Sequence, residues 1–128
     1  MVRALSESPL FSSLAPDVLQ KVAARGAAWS ADPGEVVLEE SAPSDSFFVI
    51  LAGDLAVCKR SGDELVELVR ARPPDTVGEM GLLLKEPRSA TVVARSPSAL
   101  LRFDEESFFL LYERVPGFGL AVSRALAA

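Results

Sequence analysis

Residues 77–92 have the sequence VGEMGLLLKEPRSATV, which interrupts an otherwise strand-like region. Gly78 and Gly81 flank a short apolar run that is compatible with a helix of about one turn, and Pro87 prevents a longer one. The first N–H groups of a helix have no partner within it and carry partial positive charge, so they form an anion site. The stretch therefore predicts a short, anion-binding helix between two strands.

Glu79 and Arg88 place two opposite charges in this stretch. If the chain folds back, the Arg88 guanidinium lies beside the helix start, where its fork suits a phosphate. A carboxylate beside an anion site is unfavourable unless it has another partner, and sugar hydroxyls supply donors for it. Glycine, glutamate and arginine together indicate a sugar phosphate. A purely structural salt bridge between Glu79 and Arg88 is the alternative, and the residues alone leave both open.

On both sides of this stretch, short apolar runs alternate with Gly, Pro, Asp and Ser. This pattern is typical of a sandwich or barrel of short antiparallel strands. The predicted strands are Ala28–Ser30, Glu35–Glu39, Ser46–Leu51, Leu55–Lys59, Leu65–Val69, Thr91–Arg95 and Ala99–Phe103.

Helical patterns are found at both ends of the chain. In residues 1–26, Pro16 suits the first turn of a helix, and Gly26 is expected to be the left-handed residue that often follows a helix. Residues 104–128 open with acidic side chains, which favour a helix N-terminus, and Pro116 separates two predicted helices.

Composition narrows the class of protein. The 128 residues, 49% of them hydrophobic and 24% charged, suit one domain with its own core. The chain has no histidine, which excludes histidine-based metal sites and Ser-His-Asp or Cys-His catalysis. A net charge of −5 disfavours nucleic acids and anionic membranes. The sequence shows no membrane-spanning run and no signal peptide, so we expect a cytoplasmic protein.

Residues 77–92 resemble the phosphate-binding cassette of the cyclic nucleotide-binding domain family, the module of catabolite activator protein and of the protein kinase A regulatory subunit. The family pattern is Gly-Glu, an apolar residue, a small residue and Leu, followed by Pro-Arg-(Ala/Ser/Thr)-Ala-(Ser/Thr). The segments PGEVV, DSFFVI and GDLAV, from residue 33 onward, are similar to the family's early strands. Two glycines usual at turns of the family are replaced by Ser41 and Pro74.

The resemblance implies a mainly β fold, a jelly-roll-like double-stranded β-helix with flanking N- and C-terminal helices. It implies one domain over residues 1–128, with helices over 1–26, a β-roll over 28–103 and helices over 104–128. It also implies that the C-terminal helices move against the roll when ligand binds.

The resemblance also assigns site residues. Glu79 would accept a hydrogen bond from the ribose 2′-hydroxyl, and Arg88 would pair with the cyclic phosphate. Because cGMP-preferring members often have threonine after the arginine, Ser89 favours cAMP over cGMP as the ligand. No cofactor, metal or catalytic residue is expected. The predicted ligand-binding residues are Gly78, Glu79, Met80, Gly81, Arg88, Ser89 and Ala90.

A competing hypothesis is a degenerate roll that binds no ligand and acts as a dimerisation or docking scaffold. The presence of both Glu79 and Arg88 counts against it. A metal-dependent cupin enzyme needs histidines, and a DNA-binding regulator needs a helix-turn-helix, for which we expect no residues to remain. We therefore expect a non-catalytic module whose partner is a cyclic nucleotide, without direct nucleic-acid binding or membrane insertion. A homodimer or a separate effector would carry its output.

Overall fold

The structure is a computed structural model that describes residues 2–127, with side chains described up to Ala125. Short helices stand at the two ends of this range, and strands fill most of the middle. The elements are α1 (Val2–Ser6), α2 (Pro16–Ala23), β1 (Ala27–Ala31), β2 (Val36–Leu38), β3 (Ser46–Ala52), β4 (Leu55–Ser61), β5 (Glu64–Ala71), β6 (Thr76–Val77), α3 (Glu79–Leu84), β7 (Thr91–Ala94), β8 (Ser98–Asp104), α4 (Glu105–Arg114) and α5 (Pro116–Ala127).

The strands form two four-stranded sheets, one with the order β1-β8-β3-β6 and the other with the order β2-β7-β4-β5. All strand pairs in both sheets are antiparallel. Helices precede and follow this pair of sheets. The predicted fold class, a mainly β roll with flanking helices, is confirmed.

Two apolar clusters hold the molecule together, and strand β3 contributes to both. Phe48 and Ile50 belong to the cluster inside the roll, to which all eight described strands contribute. Phe47 and Val49 belong to a second cluster, formed with the helices. Because successive side chains of a strand point to opposite faces, the unbroken apolar run of β3 is buried on both sides. The helix-side cluster contains Leu5, Leu10, Phe11, Leu19, Val22, Phe47, Val49, Leu82, Leu101, Phe103, Phe108, Leu111, Phe118 and Val122.

The seven predicted strands all exist, with ends within two residues of those predicted. Strand β6 was not predicted, because two residues are too few to show alternation. Helix α1 lies within residues 1–26, for which helices were predicted, although no separate bounds were given for it. Both predicted C-terminal helices are present, but Pro116 is the first residue of α5 rather than a gap between helices. Met1 and Ala128, the ends of the predicted domain, lie outside the described residues.

The prediction that Gly26 is left-handed is wrong. Helix α2 ends at Ala23, and the N–H groups of Arg25 and Gly26 donate to the carbonyls of Val22 and Ala23, which tightens the last turn. Gly26 is not among the residues with positive φ. A Cβ atom at Gly26 would lie 2.5 Å from Cγ of Leu101. Glycine is needed here for space, because the chain passes directly over strand β8.

None of the helices within residues 2–127 is both long enough and apolar enough to cross a bilayer. Cys58 is fully buried, as expected of a cysteine that packs as a small apolar residue.

Candidate functional site

The interrupting stretch forms the predicted short helix. Gly78 has φ +92°, in the left-handed region that glycine reaches without a steric penalty, and it turns the chain from β6 into α3. Helix α3 has six residues, and the residue that caps its C-terminus, Lys85, is also left-handed. The first N–H groups of α3, from Glu79 onward, have no partner within the helix. The chain thus presents donors and a positive dipole end beside Gly78.

Arg88 folds back to the start of this helix, as predicted. Its Nη1 donates to the carbonyl of Gly78 at 3.1 Å, and its Nη2 donates to the carbonyl of Ser46 at 2.8 Å. The backbone of Arg88 is held as well, because its N–H donates to Ala42 and its carbonyl accepts from Ser41, both at 2.8 Å. The guanidinium therefore occupies a fixed position between α3 and β3.

The positive charge of Arg88 is buried and only partly compensated. Its side chain is 4% exposed, and the nearest carboxylate, that of Asp45, lies 3.4 Å away and is itself 73% exposed. Burial lowers the pKa of Arg88 and so does the nearby cation Arg102, while the carboxylates of Asp45 and, to a smaller extent, Glu79 raise it. Arginine nevertheless stays protonated in proteins. A buried cation whose one salt-bridge partner is solvated favours a further anion beside it.

The guanidinium keeps donors for such an anion. Within residues 2–127, its Nη1 makes one hydrogen bond, to Gly78, and its Nη2 donates to Ser46 and Asp45. A guanidinium has five N–H donors in a planar fork. In the described part of the chain, the Nε–H and one Nη1–H of Arg88 have no acceptor, so two donors are left for a ligand.

Glu79 is not the ion-pair partner of Arg88. Its Oε1 accepts a hydrogen bond from the Thr76 hydroxyl at 3.0 Å. Salt bridges within residues 2–127 pair Arg88 with Asp45 instead. The alternative interpretation, a structural Glu79–Arg88 salt bridge, therefore disagrees with the structure. The carboxylate keeps its second oxygen for another donor.

Both charged groups line one cavity of about 310 Å³, which we call the site cavity. All seven predicted site residues line it, including Met80, Ser89 and Ala90. Sequence reasoning missed its apolar wall, to which β2, β4 and β7 each contribute. It also missed Thr76, which stands at its edge. No local signal marks these residues, because pairing between distant strands brings them together. The apolar wall consists of Leu38, Val57, Leu84 and Val92.

The C-terminal half of the stretch is anchored to neighbouring strands. Lys59 of β4 donates to the Ser89 carbonyl at 2.5 Å. The buried hydroxyl of Thr91 accepts from the N–H of Glu40 at 3.0 Å. The Ser89 side chain itself is exposed at the cavity rim. The stretch is therefore fixed at its end, while Ser89 stays accessible.

A larger cavity, of about 660 Å³, lies on the other side of residues 85–87. Glu86, Glu105, Glu106 and a single lysine, Lys85, supply its charged side chains. None of the predicted site residues lines it. Carboxylates line both cavities, because Glu86 belongs to both and Glu79 to the site cavity. The site cavity is the better candidate for an anion because its cation, Arg88, is buried and has N–H groups without an acceptor.

The family model that describes the cyclic nucleotide-binding domain matches residues 29–115. The match includes the whole roll after β1, the site cavity residues and α4. The chain therefore belongs to the cyclic nucleotide-binding domain family.

Solved structures agree with this assignment. The regulatory domain of PKA from Toxoplasma gondii, solved with cAMP, is 26% identical with a TM-score of 0.79 over 85% of this chain and 42% of that one. The N-terminal domain of a transcriptional regulator from Streptomyces coelicolor A3(2) is 25% identical, with a TM-score of 0.82 over 97% and 87%. Catabolite activator protein from Thermus thermophilus, 24% identical with a TM-score of 0.84 over 93% and 56%, shares the fold. This chain thus spans about half the length of two of these relatives.

Proposed function

We propose that this domain is a non-catalytic sensor of a cyclic mononucleotide, with cAMP preferred over cGMP. The buried and only partly compensated guanidinium of Arg88, beside the Glu79 carboxylate in one cavity, carries the proposal. A cyclic nucleotide supplies a complementary pair of groups, an anionic phosphate and a hydroxyl donor. A hydrogen bond to a charged group contributes about 1.5–3 kcal/mol. A few of them with base burial reach about −8 kcal/mol, which corresponds to micromolar binding.

Different residues of the chain would bind different groups of the ligand. Arg88 would hold the phosphate with its free Nε–H and Nη1–H, and the N–H groups of Met80 and Gly81 would add to the cradle. Glu79 would accept from the ribose. The preference for cAMP rests on Ser89, which the family resemblance associates with cAMP and which is accessible at the cavity rim.

The position of α3 supports a conformational response to ligand. Leu82, in the middle of this helix, is 1% exposed and belongs to the helix-side cluster with Phe108 of α4 and Phe118 of α5. A ligand that draws the start of α3 toward itself would move Leu82 against α4 and α5. Binding would then favour one arrangement of the C-terminal helices over another, because the contacts differ between the two.

Calorimetric titration with cAMP and cGMP tests the proposal. We expect a micromolar Kd for cAMP, weaker binding of cGMP, and a loss of about 100-fold in Arg88→Ala, since about 3 kcal/mol of charge-assisted bonding is removed. Arg60→Ala is the matched control, because Arg60 is exposed and pairs with Glu39 outside the cavity. Thermal unfolding checks that both variants are folded.

Two results would refute this assignment. Absence of heat from the parent protein at high micromolar cAMP and cGMP would favour the scaffold hypothesis. Unchanged affinity in a folded Arg88→Ala variant would place the binding site elsewhere. The proposal also predicts a homodimer or an effector chain that responds to the helix movement. A cytoplasmic location stays a prediction as well.

A further inference from the structure

Thr76 is the residue of the site cavity that donates to Glu79. It belongs to β6 and pairs with Val49 of β3, so the sheet fixes its backbone. Its hydroxyl lies 3.0 Å from Oε1 of Glu79. Both side chains are half-buried and line the site cavity. A strand of the roll thus orients a carboxylate that belongs to the first turn of α3.

The hydrogen-bond inventory of this pair restricts what can bind to it. A threonine hydroxyl has one proton, and an ionised carboxylate has none. Because the Thr76 proton is given to Glu79, the pair presents only lone pairs to the cavity. A ligand group that contacts them must bring its own proton. An ether, a fluorine or a bare methylene cannot satisfy either residue.

We propose that Thr76 is a positioning residue that fixes the Glu79 carboxylate for one hydrogen bond, from the free sugar hydroxyl of the ligand. In a 3′,5′-cyclic ribonucleotide that group is the 2′-hydroxyl. Thr76 thereby makes the site select ribose over 2′-deoxyribose. This inference rests on the proposed function, since it concerns the same ligand in the same cavity.

Preorganisation is the physical reason for the effect. A free glutamate side chain loses rotamer entropy when it is held in one orientation. Here the hydrogen bond from Thr76 restricts the carboxylate before the ligand arrives, so less entropy is lost on binding. The advantage applies only to a ligand that uses the carboxylate. A 2′-deoxy nucleotide gains nothing from it.

The Thr76→Val variant isolates the hydroxyl, because valine keeps the β-branched shape that suits strand β6. Calorimetry compares cAMP with 2′-deoxy-cAMP. We expect the parent to bind cAMP at least 10-fold more tightly than the deoxy analogue. In Thr76→Val, cAMP binding should weaken about 5- to 10-fold while binding of the deoxy analogue stays within twofold. Thr76→Ser, which keeps the hydroxyl, should retain most of the discrimination.

Equal weakening of both ligands in Thr76→Val would show a structural role and overturn the inference, as would an unchanged cAMP affinity. A parent that binds neither ligand overturns the proposed function itself, which is a different outcome. If the Thr76→Val variant fails to fold, a measurement on the unmodified protein still tests the inference. If the Thr76 proton is committed to Glu79, 2′-deoxy-2′-fluoro-cAMP binds no better than 2′-deoxy-cAMP. Tighter binding of the fluoro analogue would show a free Thr76 donor and refute the proposal.

Discussion

Arg88 shows why this site needs an arginine. The side chain donates to the Gly78 and Ser46 carbonyls at the same time, and its planar fork still has N–H groups without an acceptor in the described residues. A lysine has one nitrogen and cannot bridge two carbonyls and a phosphate in this planar arrangement. The same residue thus joins β3 to the start of α3 and, in the proposed function, would also bind the anion. Loss of Arg88 affects structure and binding together, so each variant needs a folding control.

Ser41 is a residue whose backbone is unfavourable for its type. It has φ +73°, in the left-handed region, where the family resemblance leads one to expect glycine. A residue with a Cβ loses about 1–2 kcal/mol in this conformation. Glycine avoids that cost but loses about 0.5–1 kcal/mol through greater freedom in the unfolded chain.

Ser41→Gly is therefore expected to raise the free energy of unfolding by about 0.5–1 kcal/mol, the difference between these two effects. Urea denaturation measures it. Ser12→Gly is the control, because Ser12 is an exposed turn residue without positive φ, and there glycine should destabilise. A loss of stability in Ser41→Gly as large as in Ser12→Gly would contradict the argument.

The site shows which residue roles the sequence allowed us to predict. Glu79 and Arg88 were identifiable because their charges stand in a recognisable local pattern. The acceptors of the Arg88 guanidinium were not, since two of them are backbone carbonyls, which any residue type supplies. Asp45 and Thr76 were also missed, because strand pairing rather than sequence distance brings them to the site.

At the scale of elements, helices and strands were predicted correctly where their periodic pattern is long or where the capping residue is adjacent in sequence. Helix α4 begins as predicted, with Asp104 as its N-cap accepting from the N–H of Ser107 at 2.7 Å. The two-residue strand β6 carries no pattern, and the turn at Gly26 depends on Leu101 of a strand 75 positions later. Tertiary contacts decide such cases.

The N-cap of α4 makes stability depend on pH. Hydrogen bonds from the Ser107 N–H and side chain lower the pKa of Asp104, and the nearby cations Arg102 and Arg25 lower it further. A carboxyl whose pKa is lower in the folded state stabilises the fold above its unfolded pKa of about 4, and this contribution is lost as the pH falls through the folded value.

Asp104→Ala should therefore lower the free energy of unfolding by about 1 kcal/mol at pH 7, and the deficit should shrink below about pH 4. Asp104→Asn is the matched variant, because asparagine also caps helices but has no charge. Asp104→Asn should lower the free energy of unfolding less than Asp104→Ala does, and this decrease should depend less on pH. Urea denaturation at several pH values measures both. A deficit in Asp104→Ala that grows on acidification would contradict this account.

At the scale of the whole molecule, a line of charges connects the site with the outer surface. Asp45 lies 3.4 Å from Arg88 and 3.8 Å from Arg102. The Arg102 guanidinium lies 5.6 Å from the ring centre of Trp29, which is 45% exposed. If a phosphate binds to Arg88 as proposed, we expect the attraction between Arg88 and Asp45 to weaken and the Asp45 carboxylate to draw Arg102 away from the indole ring.

Trp29 is the single tryptophan of the chain, so its fluorescence reports this change without interference. We expect cAMP to change the emission of Trp29, with a midpoint that matches the calorimetric Kd. Arg102→Gln should remove most of the change while cAMP affinity stays within about threefold, because Arg102 does not line the site cavity. Arg114→Gln, on α4, is the control for loss of one exposed positive charge. A full fluorescence response in Arg102→Gln would refute the proposed connection.

Strand β3, whose side chains belong to both apolar clusters, couples the unfolding of the roll to that of the helices. The roll and the helical layer share this strand as a common wall, so neither can melt and leave the other intact. We therefore expect the two clusters to unfold as one cooperative unit in a single transition. We expect the amide protons of β3 to exchange with solvent only when the entire domain opens, which makes this strand the last part of the domain to lose its protection.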